Sequence, residues 1–319
     1  MRAVYFDGAR ATVLERPDPT PTSDGAVVAL HLAGVCNTDL EIAKGYMGFE
    51  GILGHEGVGV VVEGPDDWVG RRVVSEINFA CGRCAACDAG LGRHCPHRTV
   101  MGIQGADGAF AERVAVPVAN LHAVPDAVPD EHAVFAEPLA AAYEILEQVG
   151  DVAGWSAVVL GDGKLGLLVA QVLAAAGARV LAVGRHAAHL ELLAQRGIET
   201  RLADRFDPSS GPRADLVVEA TGSADALGTA MAAVRPRGVL VLKTTVAEHP
   251  RVDLARIVID EIQLLGSRCG PFAPALAALA DGSVDTSALV EGRYALADGV
   301  EAMERAAQRG ARKVLIDCR

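Results

Sequence analysis

Apolar residues in the first third of the chain come in short clusters separated by glycine and proline. Residues 25–31 alternate valine and leucine with other residues. Residues 57–62 form a valine run closed by Gly64-Pro65, and 73–74 and 113–116 repeat the pattern on a smaller scale. Residues 1–8 read as a further strand-like stretch. Runs this short, bounded by turn formers, predict β-strands. Several in succession predict a barrel-like or sandwich domain.

The spacing changes near residue 133. Residues 133–149 are rich in alanine and leucine and have helical length. Beyond them, short apolar runs at 157–160, 179–183, 215–219 and 238–243 alternate with helical stretches at 165–176, 187–196 and 224–234. Strands alternating with helices in this way predict βαβ units on a parallel sheet. Residues 276–280 and 299–308 read as helices, and 313–316 as a last strand.

A chain of 319 residues accommodates two domains. Half of it is hydrophobic and 22% is charged, which excludes general disorder. Aromatics make up only 4%, so the cores are expected to be built from Ala, Val and Leu. The formal net charge of -12 argues against a nucleic-acid surface, which needs a basic face. No apolar run reaches the roughly 18 residues of a membrane span. Residues 1–8 carry no signal-type apolar region, so a cytoplasmic protein is expected.

Seven cysteines are present, and Cys81, Cys84, Cys87 and Cys95 crowd into one short stretch. In a cytosolic chain this spacing reads as a metal site and not as a disulfide framework. Four thiolates close a tetrahedral zinc shell, and a closed shell is structural. Cys269 and Cys318 read as ordinary buried or terminal thiols.

A second set is scattered: Cys36, His55, Glu56 and Glu137. A thiolate, an imidazole and carboxylates together suit zinc with one position left open. Taken singly, each has a plainer reading: a core thiol, a satisfied histidine, a helix N-terminal acid. Both readings stand at this point.

Gly161-Asp162-Gly163-Lys164-Leu165-Gly166 follows a strand and opens a helix, the context a dinucleotide-binding turn requires. Gly161 permits the tight turn, Gly163 the approach of a pyrophosphate, and Gly166 close helix–strand packing. The helix N-terminus, at Lys164 and Leu165, offers free N–H groups to phosphates. A plain strand-to-helix turn is the alternative. No Walker-type motif is present. The second strand of this unit ends in Gly184-Arg185-His186, with no carboxylate for a ribose 2′-hydroxyl. Arg185 offers a guanidinium for a 2′-phosphate, so NADP is expected over NAD.

The ordered set Cys36, His55-Glu56, the four-cysteine lobe, Glu137-Pro138 and a nucleotide fold resembles the zinc-dependent medium-chain dehydrogenases. The resemblance is to the branch of sorbitol and threonine dehydrogenases, and within it to a bacterial subgroup with the turn 161–166 and the segment 266–272. It implies a GroES-like catalytic domain from residues 1–148 and 270–319, and a Rossmann domain from 149–269. The cleft between them would hold cofactor and substrate. It implies two zincs per chain, an NAD(P)-dependent reaction on an alcohol, aldehyde or ketone, and a homodimer or homotetramer. By resemblance Cys36, His55 and Glu137 would bind the catalytic zinc. Glu56 would be a fourth ligand that swings on and off, or a neighbouring partner. Thr38 would accept the alcohol proton, though a Thr capping a helix over 39–44 is the plainer reading. Relatives often carry His five residues after the Cys, where this chain has Glu41.

Overall fold

The computed structural model describes residues 1–245 and 252–319. Among the described residues, no helix is long and apolar enough to cross a membrane. Contacts divide the chain into two compact units, Met1–Glu137 with Thr286–Arg319, and Pro138–Asp285.

The first unit is organised by one ten-residue strand, Gly25–Gly34. It pairs antiparallel with Glu56–Glu63, Arg113–Pro117 and Lys313–Asp317. The sheet continues through Arg72–Ser75 to Leu121–Ala123 on one side, and to Val290–Ala295 on the other. Val, Ala and Leu fill this strand, and most of it is buried. Two three-stranded sheets complete the unit. One joins Arg2–Phe6, Ala11–Glu15 and Gly51–Ile52, and the other joins Asn78–Phe79, Thr99–Met101 and Gly105–Ala106. Phe6, Phe110 and Phe135 are fully buried in the chain's cores.

Register decides what meets at the end of the long strand. Gly34 lies opposite Glu56 on one side and Leu315 on the other. The amide of Val35 donates to the carbonyl of Val314 at 2.9 Å. The next residue, Cys36, caps the helix Asn37–Ile42.

The second unit holds a six-stranded, all-parallel sheet. Its order is Glu199–Leu202, Arg179–Gly184, Ser156–Leu160, Ala214–Glu219, Val234–Leu242, Gln263–Gly266. The chain winds outward from Ser156–Leu160 in one direction, then returns and winds in the other. That is a doubly wound sheet whose switch point lies beside Ser156–Leu160, where ligands bind in such folds. The inner strands are almost continuously apolar because both faces are covered. Helices Lys164–Ala175, Ala187–Ala194 and Ala226–Ala233 follow three of them.

Some boundaries differ from the sequence reading. The helix expected over 133–149 is two pieces, Asp130–Ala133 and Ala136–Val149, with a turn between. The division between units falls at 137/138 and 285/286, against 148/149 and 269/270. The reason is packing. Lys243 Nζ donates to the carbonyl of Ala141 at 2.7 Å, and Gln148 Nε2 to that of Gly266 at 3.1 Å. Gln171 binds both the carbonyl and the amide of Asp285. These bonds hold residues 138–148 and 270–285 to the parallel sheet.

Candidate active site

The four-cysteine lobe is a loop folded on itself. Cys84 caps the short helix Ala85–Asp88, and the 3-10 turn Gly92–His94 delivers Cys95. Gly82 and Gly90 have φ of +68° and +75°, the left-handed region that favours glycine. The Sγ–Sγ separations are 3.5 Å for Cys84–Cys87, 3.7 Å for Cys84–Cys95 and 3.5 Å for Cys95–Cys81. Four sulfurs about 2.3 Å from one zinc stand about 3.7 Å apart, so the lobe fits that ion. The backbone N–H of Cys81, helped by that of His97, holds the Cys95 thiol down at about 6. A thiolate is the form a metal needs.

Cys36, His55 and Glu56 each place a ligand atom within 4.8 Å of the others. Glu137 is not in that group. It lies half-buried in the first turn of the helix Ala136–Val149, in the same unit. His55 is oriented by Asp39, which the sequence reading did not single out. Asp39 is fully buried, accepts the Cys36 amide on Oδ2 at 2.8 Å, and meets His55 Nδ1 with Oδ1 at 3.0 Å. A carboxylate on one ring nitrogen fixes the tautomer and leaves the other nitrogen for a metal. Burial pushes the His55 ring down, but Asp39 and Cys36 outweigh it and hold it well above the usual histidine value.

Lys313 was also missed. Its ammonium sits on Glu56 Oε2, and both side chains are 1% exposed. Burial works against its charge, yet Glu56 and Cys36 hold it above the usual lysine value. Gly34 leaves the room: a Cβ there would stand 2.5 Å from Glu56 Oε2. Glu56 Oε1 is buried with no hydrogen-bond partner among the described residues. Two buried carboxylates and one buried ammonium therefore gather beside a thiol and an imidazole. The donor set suits a divalent cation. Thr38 stands with its hydroxyl 3.8 Å from Cys36 Sγ. Glu41 is exposed and paired with Lys44 at 2.7 Å, so it spends its charge on the surface.

In the second unit the glycine turn is built as expected. Gly161 has φ +117°, donates to the carbonyl of Val183 at 2.8 Å, and would drive a Cβ into the carbonyl of Ala220. A Cβ on Gly166 would meet the carbonyl of Gly161 at 2.0 Å, while Gly163 has open space around it. The helix starts at Lys164, followed by Leu165, with Gly163 as its cap. Space at Gly163 and the first-turn N–H groups of the helix fit a pyrophosphate. Arg185 is exposed at the end of Arg179–Gly184. One expectation fails: a carboxylate does stand there, because Asp162 reaches over from the glycine turn to the backbone of His186.

Two family models match the chain. The alcohol dehydrogenase GroES-like domain covers residues 22–126, and the zinc-binding dehydrogenase domain covers residues 165–281. A sorbitol dehydrogenase of Halalkalibacterium halodurans is 30% identical, over 95% of this chain and 94% of that protein. The rspB alcohol dehydrogenase of Escherichia coli CFT073, complexed with NADH, superposes with a TM-score of 0.92. It is 25% identical over 99% of both chains. A zinc-binding dehydrogenase of Sinorhizobium meliloti 1021, bound to NADP, superposes with a TM-score of 0.91. It is 28% identical over 99% of this chain and 98% of that one.

Proposed function

The chain belongs to the zinc-dependent medium-chain dehydrogenases, and we propose that the pocket of Cys36, His55 and Glu56 is where it moves hydride between NAD(P) and an alcohol or its carbonyl. Cys36, His55 and Glu137 would hold the catalytic zinc, with Glu56 beside them. Cys81, Cys84, Cys87 and Cys95 hold the structural one. The observation that carries this reading is the convergence of three unlike donors within 4.8 Å, next to an unpartnered buried carboxylate oxygen. A zinc ion held there would supply the Lewis acidity that makes an alcohol easier to deprotonate, and a bound dinucleotide would supply the hydride acceptor.

The chain's own residues divide the remaining work. Asp39 holds the His55 ring. Lys313 holds one oxygen of Glu56 and leaves the other to turn toward the pocket. The Thr38 hydroxyl takes the alcohol's proton and passes it to water, because Glu41 is engaged with Lys44. Gly161, Gly163 and Gly166 seat the pyrophosphate against the helix that opens at Lys164 and Leu165. Gly184 and Arg185 lie where the adenosine ribose binds.

The sheet edge Gln263–Gly266 and the neighbouring helix Leu254–Ile259 present Leu254, Val258 and Ile259 to solvent at 69%, 75% and 79% exposure. A helix this apolar beside an open strand suits a second copy of the chain, and a homodimer follows. Seven cysteines with no disulfide among them suit a reducing compartment, the cytoplasm.

The test is absorbance of reduced nicotinamide across a panel of polyols, secondary alcohols and aldehydes, with NAD and with NADP. His55→Ala is expected to abolish turnover and leave ADP-ribose binding intact. Turnover that survives His55→Ala sinks the reading.

A further inference from the structure

In dinucleotide folds of this kind the acid that accepts the adenosine ribose hydroxyl stands at the end of the second strand. Here that position is Gly184, the last residue of Arg179–Gly184. A Cβ built on Gly184 would lie 2.3 Å from Asp162 Cβ, 2.4 Å from its Cγ and 2.5 Å from Oδ2. The carboxyl group of Asp162 thus fills the space in which a side chain at 184 would begin. The acid arrives from the glycine turn instead of from the strand.

The group is held firmly. Asp162 is 6% exposed. Its Oδ2 accepts the backbone N–H of His186 at 2.5 Å, and the ring Nδ1 of His186 lies 3.1 Å and 3.2 Å from the two oxygens. His189 Nδ1 donates to the backbone carbonyl of Asp162 at 2.8 Å, which fixes the turn from below. His186 Nε2 is buried without a hydrogen-bond partner among the described residues, so the site still has a polar atom to satisfy. An ionised carboxylate offers roughly four acceptor positions. His186 takes two or three of them, which leaves room for one hydroxyl.

We propose that Asp162 is the ribose-hydroxyl acceptor of this enzyme and sets its preference for NAD over NADP. This rests on the glycine turn 161–166 holding the dinucleotide. A ribose 2′-hydroxyl donates to a carboxylate. A 2′-phosphate has no such proton at neutral pH, carries about two negative charges, and would have to sit against a buried anion. Arg185 is the group that would compensate, but it is exposed, where water and salt screen its charge. The buried carboxylate outweighs the exposed guanidinium. The same packing explains the glycine at 184: any larger residue there displaces Asp162.

Isothermal titration of the zinc-loaded enzyme with ADP-ribose and with 2′-phospho-ADP-ribose tests this without turnover. The wild-type protein is expected to bind ADP-ribose at least about 10-fold more tightly, the size of one charged hydrogen bond. Asp162→Asn keeps the shape and the bond from the His186 amide while removing the charge. It is expected to close most of that gap, mainly by improving the phosphorylated ligand. Asp162→Ala is expected to close it further by also weakening ADP-ribose. Tighter binding of 2′-phospho-ADP-ribose by the wild type overturns the proposal, and so does an unchanged ratio in Asp162→Asn. If neither ligand binds the wild type, the dinucleotide turn itself is misassigned and the proposal falls with it.

Discussion

Lys313 and Glu56 are 257 residues apart in sequence and face each other at the floor of the candidate zinc pocket, each shielded from water. The ammonium binds one carboxylate oxygen and leaves the other without a partner among the described residues. A buried pair of this kind contributes little over an apolar pair of the same volume, but half of it is costly. Lys313→Met is expected to destabilise the first unit by about 3–5 kcal/mol, the cost of a buried charge left alone. Glu56→Gln with Lys313→Met is expected to recover most of that loss. Urea unfolding at fixed zinc concentration measures both. Equal stability for the single and the double variant would show that the two groups do not share one site.

The Asp39 carboxylate binds the backbone of Cys36 and the ring of His55, so it acts through them. Removing a partner of a metal-binding histidine lowers metal affinity roughly 10- to 100-fold. Asp39→Asn is expected to lose zinc at proportionally lower chelator concentration, with kcat falling when zinc is not in excess. Added zinc is expected to restore part of the activity. A fold defect alone would not be rescued this way.

The two metal sites are expected to part with zinc at different rates. A closed four-thiolate shell resists exchange, while a site with an open position yields first. Elemental analysis is expected to give two zincs per chain. Mild chelation is expected to remove one together with all activity, leaving the fold intact. Cys81→Ser is expected to lower the yield of folded protein before it affects kcat.

Acid stability has a readable origin. The hydroxyl of Ser156, with Arg235 and the Ser156 amide, holds the Asp215 carboxyl down at about 2. Burial pushes Asp317 up, but Arg319 and Arg293 outweigh it and bring it to about 2. A carboxyl whose folded pKa is depressed stabilises the fold above its unfolded value near 3.8. That contribution fades as pH falls through the folded value. Resistance to urea is therefore expected to fall between about pH 4 and pH 2. Arg235→Ala is expected to make that fall shallower, as followed by circular dichroism.

The two motifs that depend on local spacing were legible. Cysteines at 81, 84, 87 and 95 close one loop, and the glycine turn lies between an apolar run and a helix. What the sequence hid are partners set by register. Nothing near Cys36 announces that Lys313 will arrive beside Glu56, because that follows from Gly34 pairing with both Glu56 and Leu315. Asp39 reads as a first-turn acid until His55 is folded against it. Asp162 sits at a variable position of the glycine motif, and only the missing Cβ of Gly184 gives its carboxyl a place. The strands Gln263–Gly266 and Val290–Ala295 were not foreseen, because the first is only four residues long and mostly exposed, and Glu, Gly and Arg break the alternation of the second.

The pairing of Lys313–Asp317 with Gly25–Gly34 also fixes when the pocket comes into being. During synthesis at roughly 5–20 residues per second, the parallel sheet emerges whole and folds while the first unit still lacks its closing strands. For that interval the Glu56 carboxylate lacks the Lys313 ammonium and the Val35 amide lacks the Val314 carbonyl. A chain cut short between residues 286 and 312 therefore keeps the whole nucleotide-binding unit but lacks the strand that brings Lys313 to Glu56.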